Sequence, residues 1–264
     1  MNTRKILFTT VVVSMMSTGC ITTFNGSVIP SSSETLKSEF SQFTYSGIGA
    51  GAQMRCRMYI PDIPAYAKVP LIVYLHGAGQ NGNNNENQLD NAVGCLYSFT
   101  RERDEYKSVI LVPQCPIGVY WRDDEMMENL ADLITSTVER VPVIDPNRVY
   151  ITGFSMGGDA TWKLGLAHPE MMTTLVPVCG GPLENMEPDI PDVPDQMADL
   201  NIWAFNNFDD KAVRPSYSKR IFARLWEISD SDKLNFTMNM TGGHDGSSVY
   251  SNKNLLIWLL NTKK

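Results

Sequence analysis

Ser155 has the sequence setting that most strongly suggests chemistry. It lies between two glycines in Gly153-Phe154-Ser155-Met156-Gly157, which is the spacing G-x-S-x-G. This spacing is typical of a serine on a sharp turn between a strand and a helix, where the hydroxyl stands above the sheet and the helix N-terminus favours negative charge. A β-branched and aromatic run (149–152) precedes the turn, and a helix-compatible run follows it. The sequence therefore predicts that Ser155 is a nucleophile.

A serine nucleophile needs a base, and the chain contains three histidines. His168 lies at the far end of the helix that follows Ser155, about 20 Å away at the helical rise per residue, which is too far. His76 follows the apolar run 71–75, where folds with this turn supply an oxyanion-binding N–H group and not the base. His244 follows the alternating strand 234–240 and fits the chain order serine, acid, histidine. We therefore predict that His244 is the base.

The acid that orients the histidine should follow the strand between the serine and histidine segments. A short apolar run (201–205) is followed by Asp209 and Asp210. Either carboxylate can hold the imidazole through Nδ1 and stabilise its protonated form. Either can instead cap the helix that begins near Pro215. The residues alone leave this choice open.

Three stretches together resemble a bacterial esterase family of the α/β-hydrolase superfamily, related to the phospholipase/carboxylesterase, feruloyl-esterase-like and polyhydroxybutyrate-depolymerase-like groups. They are PLIVYLHGAGQNGNNNENQL (70–89), VPQCP with the following Trp121 (112–121), and DPNRVYITGFSMGGDATW (145–162). The resemblance runs from about Pro70 to the C-terminus. It implies the α/β-hydrolase fold without a large cap domain, and a serine carboxylic-ester hydrolase that works through an acyl-enzyme.

The resemblance also implies how negative charge on the substrate oxygen would be held. The backbone N–H groups of Ala78 and Met156 would form the oxyanion hole, with His76 and Gly77 shaping that turn. We take His76, Gly77 and Trp121 as candidates for lining the substrate pocket. Trp121 would either stack on a sugar or aromatic acyl group or be a half-buried core residue.

The same resemblance favours one of the two candidate acids. Members of the family carry H-G-x-x-D-x-x-V-P around the acid, and this pattern places the acid at Asp210 and the valine at Val213. Asn206 and Asn207 stand here in place of the His-Gly pair, and Arg214 replaces the proline. The acid loop therefore departs from the family pattern.

Strand-like and helix-like segments alternate along the rest of the chain. Candidate strands are 53–60, 70–75, 108–113, 148–153, 174–179, 201–206 and 234–240, and candidate helices are 87–103, 123–140, 155–167, 216–228 and 249–262. This alternation predicts an α/β fold with a mostly parallel central sheet and helices on both faces. Ligands bind such sheets at the carboxyl ends of the strands, where the candidate residues fall. The Asn-rich loop 80–87 either binds a sugar or builds turns, and the Pro-rich stretch 180–199 either walls the pocket or is a solvated loop.

The first 46 residues predict that the protein is located in the cell envelope. Residues 1–19 have a basic start and an apolar stretch too short to span a bilayer, as in a signal peptide. Small residues running up to Cys20 resemble a bacterial lipobox, which implies a lipid anchor on Cys20 and an extracytoplasmic protein, periplasmic or surface-exposed. Residues 20–46 are polar and predict a flexible tether, followed by a single catalytic domain over 47–264.

Composition limits the ligands and partners. The net charge is −7, and loss of the basic leader makes it more negative, so we expect no nucleic-acid partner. Cys56, Cys95, Cys115 and Cys179 match no disulfide framework. No metal-ligand spacing occurs, so we expect neither a metal nor another cofactor.

The expected partners are a small-molecule or carbohydrate ester and, through the anchor, the membrane. The alternatives are a prolyl-oligopeptidase-like serine peptidase and a non-catalytic envelope- or carbohydrate-binding lipoprotein.

Overall fold

The computed structural model describes residues 38–49, 52–89, 96–97, 99–100, 104–182 and 192–264. The predicted signal peptide, the lipidation candidate Cys20 and the predicted tether up to residue 37 lie outside these ranges, and so does Cys95. Within the ranges, no helix combines the length and the hydropathy that are needed to cross a membrane.

The sheet contains eight strands within the described residues. They are β1 (Ser41–Ser46), β2 (Gln53–Tyr59), β3 (Val69–Leu75), β4 (Val109–Gln114), β5 (Ile144–Phe154), β6 (Thr174–Val178), β7 (Asn201–Asn207) and β8 (Leu234–Asn239). Their order across the sheet is β1-β2-β4-β3-β5-β6-β7-β8. β2 pairs antiparallel with β1 and β4, and all pairings from β4 to β8 are parallel. The carboxyl ends of six strands therefore meet at one edge.

Helices cover both faces of this sheet. They are α1 (Asp124–Arg140), α2 (Met156–Ala167), α3 (Ser216–Ile228) and α4 (Lys253–Asn261). Buried side chains of α1, α2 and α3 belong to one apolar cluster, and those of α4 belong to a second cluster. Along β5, Val149 and Ile151 join the first cluster whereas Tyr150 joins the second, as the two-residue period of a strand requires. The predicted α/β class with a mostly parallel sheet is confirmed.

The strand β1 corrects the predicted extent of the tether. Residues 41–46 fall within the predicted tether, but they pair antiparallel with β2 along their whole length. Phe43 and Tyr45 alternate with polar residues and pack against the core, and Phe40 is only 2% exposed. These apolar side chains are sparse in a polar stretch, so their burial depends on the neighbouring strand rather than on local composition. The folded domain therefore begins before residue 47.

Two predicted helices differ from the observed ones. Of the predicted helix 87–103, the described part contains a 3-10 turn over Asn87–Leu89 and short helical pieces at 96–97 and 99–100. The C-terminal helix begins at Lys253 rather than at 249. Its start is fixed by Asn252, whose side chain accepts hydrogen bonds from the backbone N–H groups of Asn254 and Leu255.

Candidate active site

Ser155 occupies a strained turn between β5 and α2. Its backbone has φ 58° and ψ −116°, in a region that L-residues rarely adopt. A Cβ on Gly153 would lie 2.5 Å from the backbone of Gly157, and one on Gly157 would lie 1.9 Å from the carbonyl oxygen of Leu75. Both positions of the motif therefore require glycine, because strand and helix pass too closely for a side chain. Ser155 N–H donates to Val178 O at 2.9 Å, which fixes the turn to β6.

Ser155, His244 and Asp210 form one hydrogen-bonded chain. His244 Nε2 lies 2.7 Å from Ser155 Oγ, and His244 Nδ1 lies 2.7 Å from Asp210 Oδ2. A carboxylate only accepts hydrogen bonds, so Nδ1 carries the proton and Nε2 accepts from the serine hydroxyl. The three residues follow β5, β8 and β7, and the sheet order brings these strand ends together. The side chain of Asp210 is fully buried, whereas that of His244 is 26% exposed and reaches solvent.

The two neighbouring aspartates have different partners. Asp210 Oδ1 accepts from the backbone N–H groups of Ala212 and Val213, both at 2.9 Å, which leaves Oδ2 for His244. Asp209 Oδ1 accepts from the N–H of Gly243 at 2.8 Å. The N-cap residue of α3 is Pro215, and these contacts of the two aspartates go to residues outside that helix. Of the two aspartates, Asp210 is the one whose carboxylate is hydrogen-bonded to the imidazole.

Each of the two predicted oxyanion donors is the first residue of a helical segment close to Ser155. Met156 is the first residue of α2, and Ala78 is the first residue of a 3-10 turn over Ala78–Gln80. The first N–H groups of a helix have no partner within it, so both are available to a substrate oxygen. A Cβ built on Gly77 would lie 3.5 Å from Ser155 Cβ, so this turn borders the nucleophile. The arrangement can hold an oxyanion next to Ser155.

The side chains of His76 and Trp121 are buried next to the predicted oxyanion-binding turn. They are 1% and 0% exposed. Trp121 Nε1 donates to the carbonyl oxygen of His76 at 3.1 Å. His76 Nε2 accepts from the N–H of Cys115 at 2.9 Å, and Nδ1 donates to Gly77 O at 2.7 Å. Of the two alternatives for Trp121, the structure shows a core residue, and the hydrogen bonds of His76 likewise fix the loops around it.

Burial of His76 predicts a specific pH dependence of stability. Desolvation lowers the pKa of this imidazole from 6.5 to about 4 in the folded protein. Between these values the unfolded chain binds more protons, so the free energy of unfolding falls as the pH falls from 6.5 towards 4, by up to about 1.4 kcal/mol per pH unit. His76→Gln should remove this contribution, and urea denaturation of both proteins between pH 4 and pH 7 measures the difference. Parallel pH profiles would contradict the buried, neutral histidine.

Polar side chains in the Asn-rich loop 80–87 form hydrogen bonds that stabilise its turns. Asn84 Oδ1 accepts from the N–H groups of Glu86 and Asn87, and Asn85 adopts φ 57° with its N–H donating to Gln114 Oε1. Of the two alternatives for this loop, the structure shows turn formation. The second uncertain segment, 180–199, lies outside the described residues between 183 and 191.

The cysteines in the described part of the chain are unreactive. Cys56, Cys115 and Cys179 are free and buried. Burial raises the pKa of the Cys56 and Cys179 thiols to about 12, and it also raises the pKa of Cys115. Protonated thiols are poor nucleophiles and poor metal ligands. Within the described ranges, no three His, Cys, Asp or Glu side chains gather so that they could hold a metal ion.

Sequence comparisons identify relatives that are named as depolymerases. No protein-family model matches the chain. It is 29% identical over 182 residues to a poly(3-hydroxybutyrate) depolymerase of Ralstonia pickettii, which covers 62% of this chain and 36% of the relative. It is 29% identical over 119 residues to poly(3-hydroxyalkanoate) depolymerase C of Paucimonas lemoignei, which covers 44% and 29%. The chain thus spans about a third of the length of these relatives.

Solved structures share the fold over most of the chain. A thermostable esterase superposes with a TM-score of 0.73 at 27% identity, over 86% of this chain and 64% of that one. An S-formylglutathione hydrolase of Staphylococcus aureus superposes with a TM-score of 0.60 at 14% identity, over 84% and 98%. The second likeness concerns the fold alone.

Proposed function

We propose that this chain, an α/β-hydrolase by its fold and by its likeness to esterase structures, cleaves carboxylic esters with Ser155 as the nucleophile. The observation that carries this proposal is the continuous hydrogen-bonded chain from Ser155 Oγ through His244 to Asp210. A strained serine costs stability, and its hydrogen bond to an imidazole serves a binding module no purpose. The esterase and depolymerase relatives support the same class of reaction.

The reaction we propose has two half-reactions. His244 Nε2 takes the proton of Ser155 Oγ as the oxygen attacks the ester carbonyl, and the negative charge on the carbonyl oxygen is held by the N–H groups of Ala78 and Met156. The intermediate collapses by breaking the C–O bond, and His244 gives its proton to the departing alcohol. Water then attacks the acyl-enzyme, with His244 accepting and returning a proton in the same way. Asp210 holds the imidazole in place and stabilises it while it carries the extra proton.

The proposed substrates are small esters or esters carried on carbohydrate. Hydrolysis of p-nitrophenyl acetate, butyrate and octanoate and of a feruloyl ester, together with labelling by a fluorophosphonate probe, tests the activity. Ester turnover with labelling is the expected result. Labelling with cleavage of peptide p-nitroanilides but not of esters would instead indicate a peptidase, and neither turnover nor labelling would indicate a binding protein. A poly(3-hydroxybutyrate) film extends the panel to the polymer for which the relatives are named.

We also propose that the protein is held in the cell envelope by a lipid on Cys20, since small residues lead up to this cysteine after an apolar leader. Cys20→Ala should leave the membrane fraction or remain unprocessed, because acyl chains would supply its binding to the bilayer. Fractionation and intact-mass spectrometry of both proteins measure this. Cys56→Ala is the matched control and should stay in the membrane fraction. Wild-type protein free in the medium and without lipid would contradict the proposal.

A further inference from the structure

The side chain of Asn207 lies under the loop that carries His244. Its Nδ2 donates to the carbonyl oxygens of Gly243 and Asp245, both at 2.8 Å, and these are the residues on either side of the histidine. Its Oδ1 accepts from Asn239 Nδ2 at 2.9 Å, which orients the amide. Asn207 is only 3% exposed. One buried amide therefore fixes the backbone on both sides of His244.

Two glycines allow the loop that carries His244 to approach the Asn207 amide closely. A Cβ on Gly242 would lie 2.8 Å from Asn207 Nδ2, so a larger residue there would push the side chain away. Gly243 has φ 58°, a conformation that glycine adopts without strain. The pair of glycines before His244 thus lets the loop lie directly on Asn207.

A second side chain holds the same loop from the other direction. Asp209 Oδ1 accepts from the N–H of Gly243, whose carbonyl oxygen is already bound by Asn207. Both residues belong to the end of β7 and its following turn, which also carries Asp210. The imidazole and the carboxylate that orients it are consequently joined by backbone contacts as well as by their own hydrogen bond. Movement of the loop would change both 2.7 Å contacts of His244.

We propose that Asn207, assisted by Asp209, is a positioning residue that holds the His244 loop so that the imidazole reaches Ser155 and Asp210 at once. This inference rests on the proposed ester hydrolysis, but the contacts themselves are independent of any substrate. Loss of the amide leaves two backbone carbonyl groups without their donor and releases the loop. Displacement of a catalytic group by about 1 Å can lower turnover by about 10²-fold.

The test compares Asn207→Ala with Asn206→Ala. Asn206 is the adjacent residue, is 1% exposed, and its amide has no hydrogen-bond partner among the residues that the structure describes, so it is a matched control. For p-nitrophenyl acetate, kcat of Asn207→Ala should fall by about 10- to 100-fold with KM changed by less than about threefold, whereas Asn206→Ala keeps the wild-type kcat. Wild-type kcat in a folded Asn207→Ala variant would overturn the proposal.

A spectroscopic readout separates this proposal from the proposed function. The downfield ¹H NMR signal of the His244 Nδ1–H that is bound to Asp210 needs no turnover. It should broaden or vanish in Asn207→Ala and persist in Asn206→Ala. If the wild-type protein hydrolyses no ester, the proposed function fails while this signal still tests the positioning role. A signal unchanged by Asn207→Ala contradicts that role.

Asp209 supplies a second test that does not depend on the folding of the Asn207 variant. The side chain is exposed, so its replacement leaves the core intact. Asp209→Ala removes the acceptor for Gly243 N–H and should lower kcat by about tenfold. Asp209→Asn keeps an oxygen at Oδ1 and should restore kcat to within about threefold of wild type. Equal activity of the alanine variant and the wild-type protein would contradict a positioning role for this contact.

Discussion

Replacement of Ser155 by alanine should lower ester hydrolysis by about 10⁴- to 10⁶-fold, because removal of a triad nucleophile leaves only binding and oxyanion stabilisation. The variant should fold as the wild type does, since alanine keeps the Cβ and the backbone N–H bond to Val178 is unaffected. Hydrolysis of p-nitrophenyl acetate measures the loss, and thermal unfolding measures the stability.

The matched control for this substitution is Ser251→Ala. Ser251 is exposed and its hydroxyl donates only to Ser248 O within the described structure, so its loss should leave activity and fluorophosphonate labelling unchanged. Activity of Ser155→Ala near the wild-type level would show that the nucleophile lies elsewhere. Labelling of the alanine variant by the probe would lead to the same conclusion.

Asp210→Asn should lower kcat by up to about 10⁴-fold, as expected when the group that orients a catalytic histidine is changed to an amide. The structure supplies the reason. Backbone N–H groups of Ala212 and Val213 bind Oδ1, so an asparagine oxygen would stay there and its NH₂ group would face His244 Nδ1. Nδ1 would then have to accept, and the proton would move to Nε2, which could no longer take the proton of Ser155.

Asp209→Asn is the matched control for this change, since it is the same substitution one residue earlier. It keeps an acceptor for Gly243 N–H, so kcat should remain within about threefold of wild type. Steady-state kinetics and thermal unfolding of both variants separate turnover from stability. If Asp209→Asn lost turnover while Asp210→Asn only melted earlier, the assignment of the acid would be off by one residue.

Several features were predictable because their causes are local. The two glycines around Ser155 are required within a five-residue turn, so the motif alone predicts the strand, the turn and the helix N-terminus. Strand β3 is a continuous apolar run, as expected for a strand buried on both faces, and all of its residues, Val69–Leu75, are buried. Helix α3 was predicted at the bounds that are observed, Ser216–Ile228.

Other features depend on residues that are distant in the chain. Strand β1 lies in a polar stretch and forms because β2 supplies its hydrogen bonds and the core receives Phe43 and Tyr45. His76 has a motif-like setting, yet its burial depends on Cys115 and Trp121, which are contributed by the loop after β4. Burial of this kind is decided by packing between elements, so no local pattern could reveal it.

The candidate site also combines features with local causes and features that depend on distant residues. The candidate nucleophile and its candidate base could be chosen from residue types, chain order and reach, since only one histidine met all three conditions. The choice between two adjacent aspartates could not be derived from the residues, because they are chemically identical and differ only in the direction that the turn after β7 gives each carboxylate. The role of Asn207 was equally hidden, since its partners lie more than thirty positions away. Turn conformation and long-range backbone contacts, which residue types do not encode locally, set both.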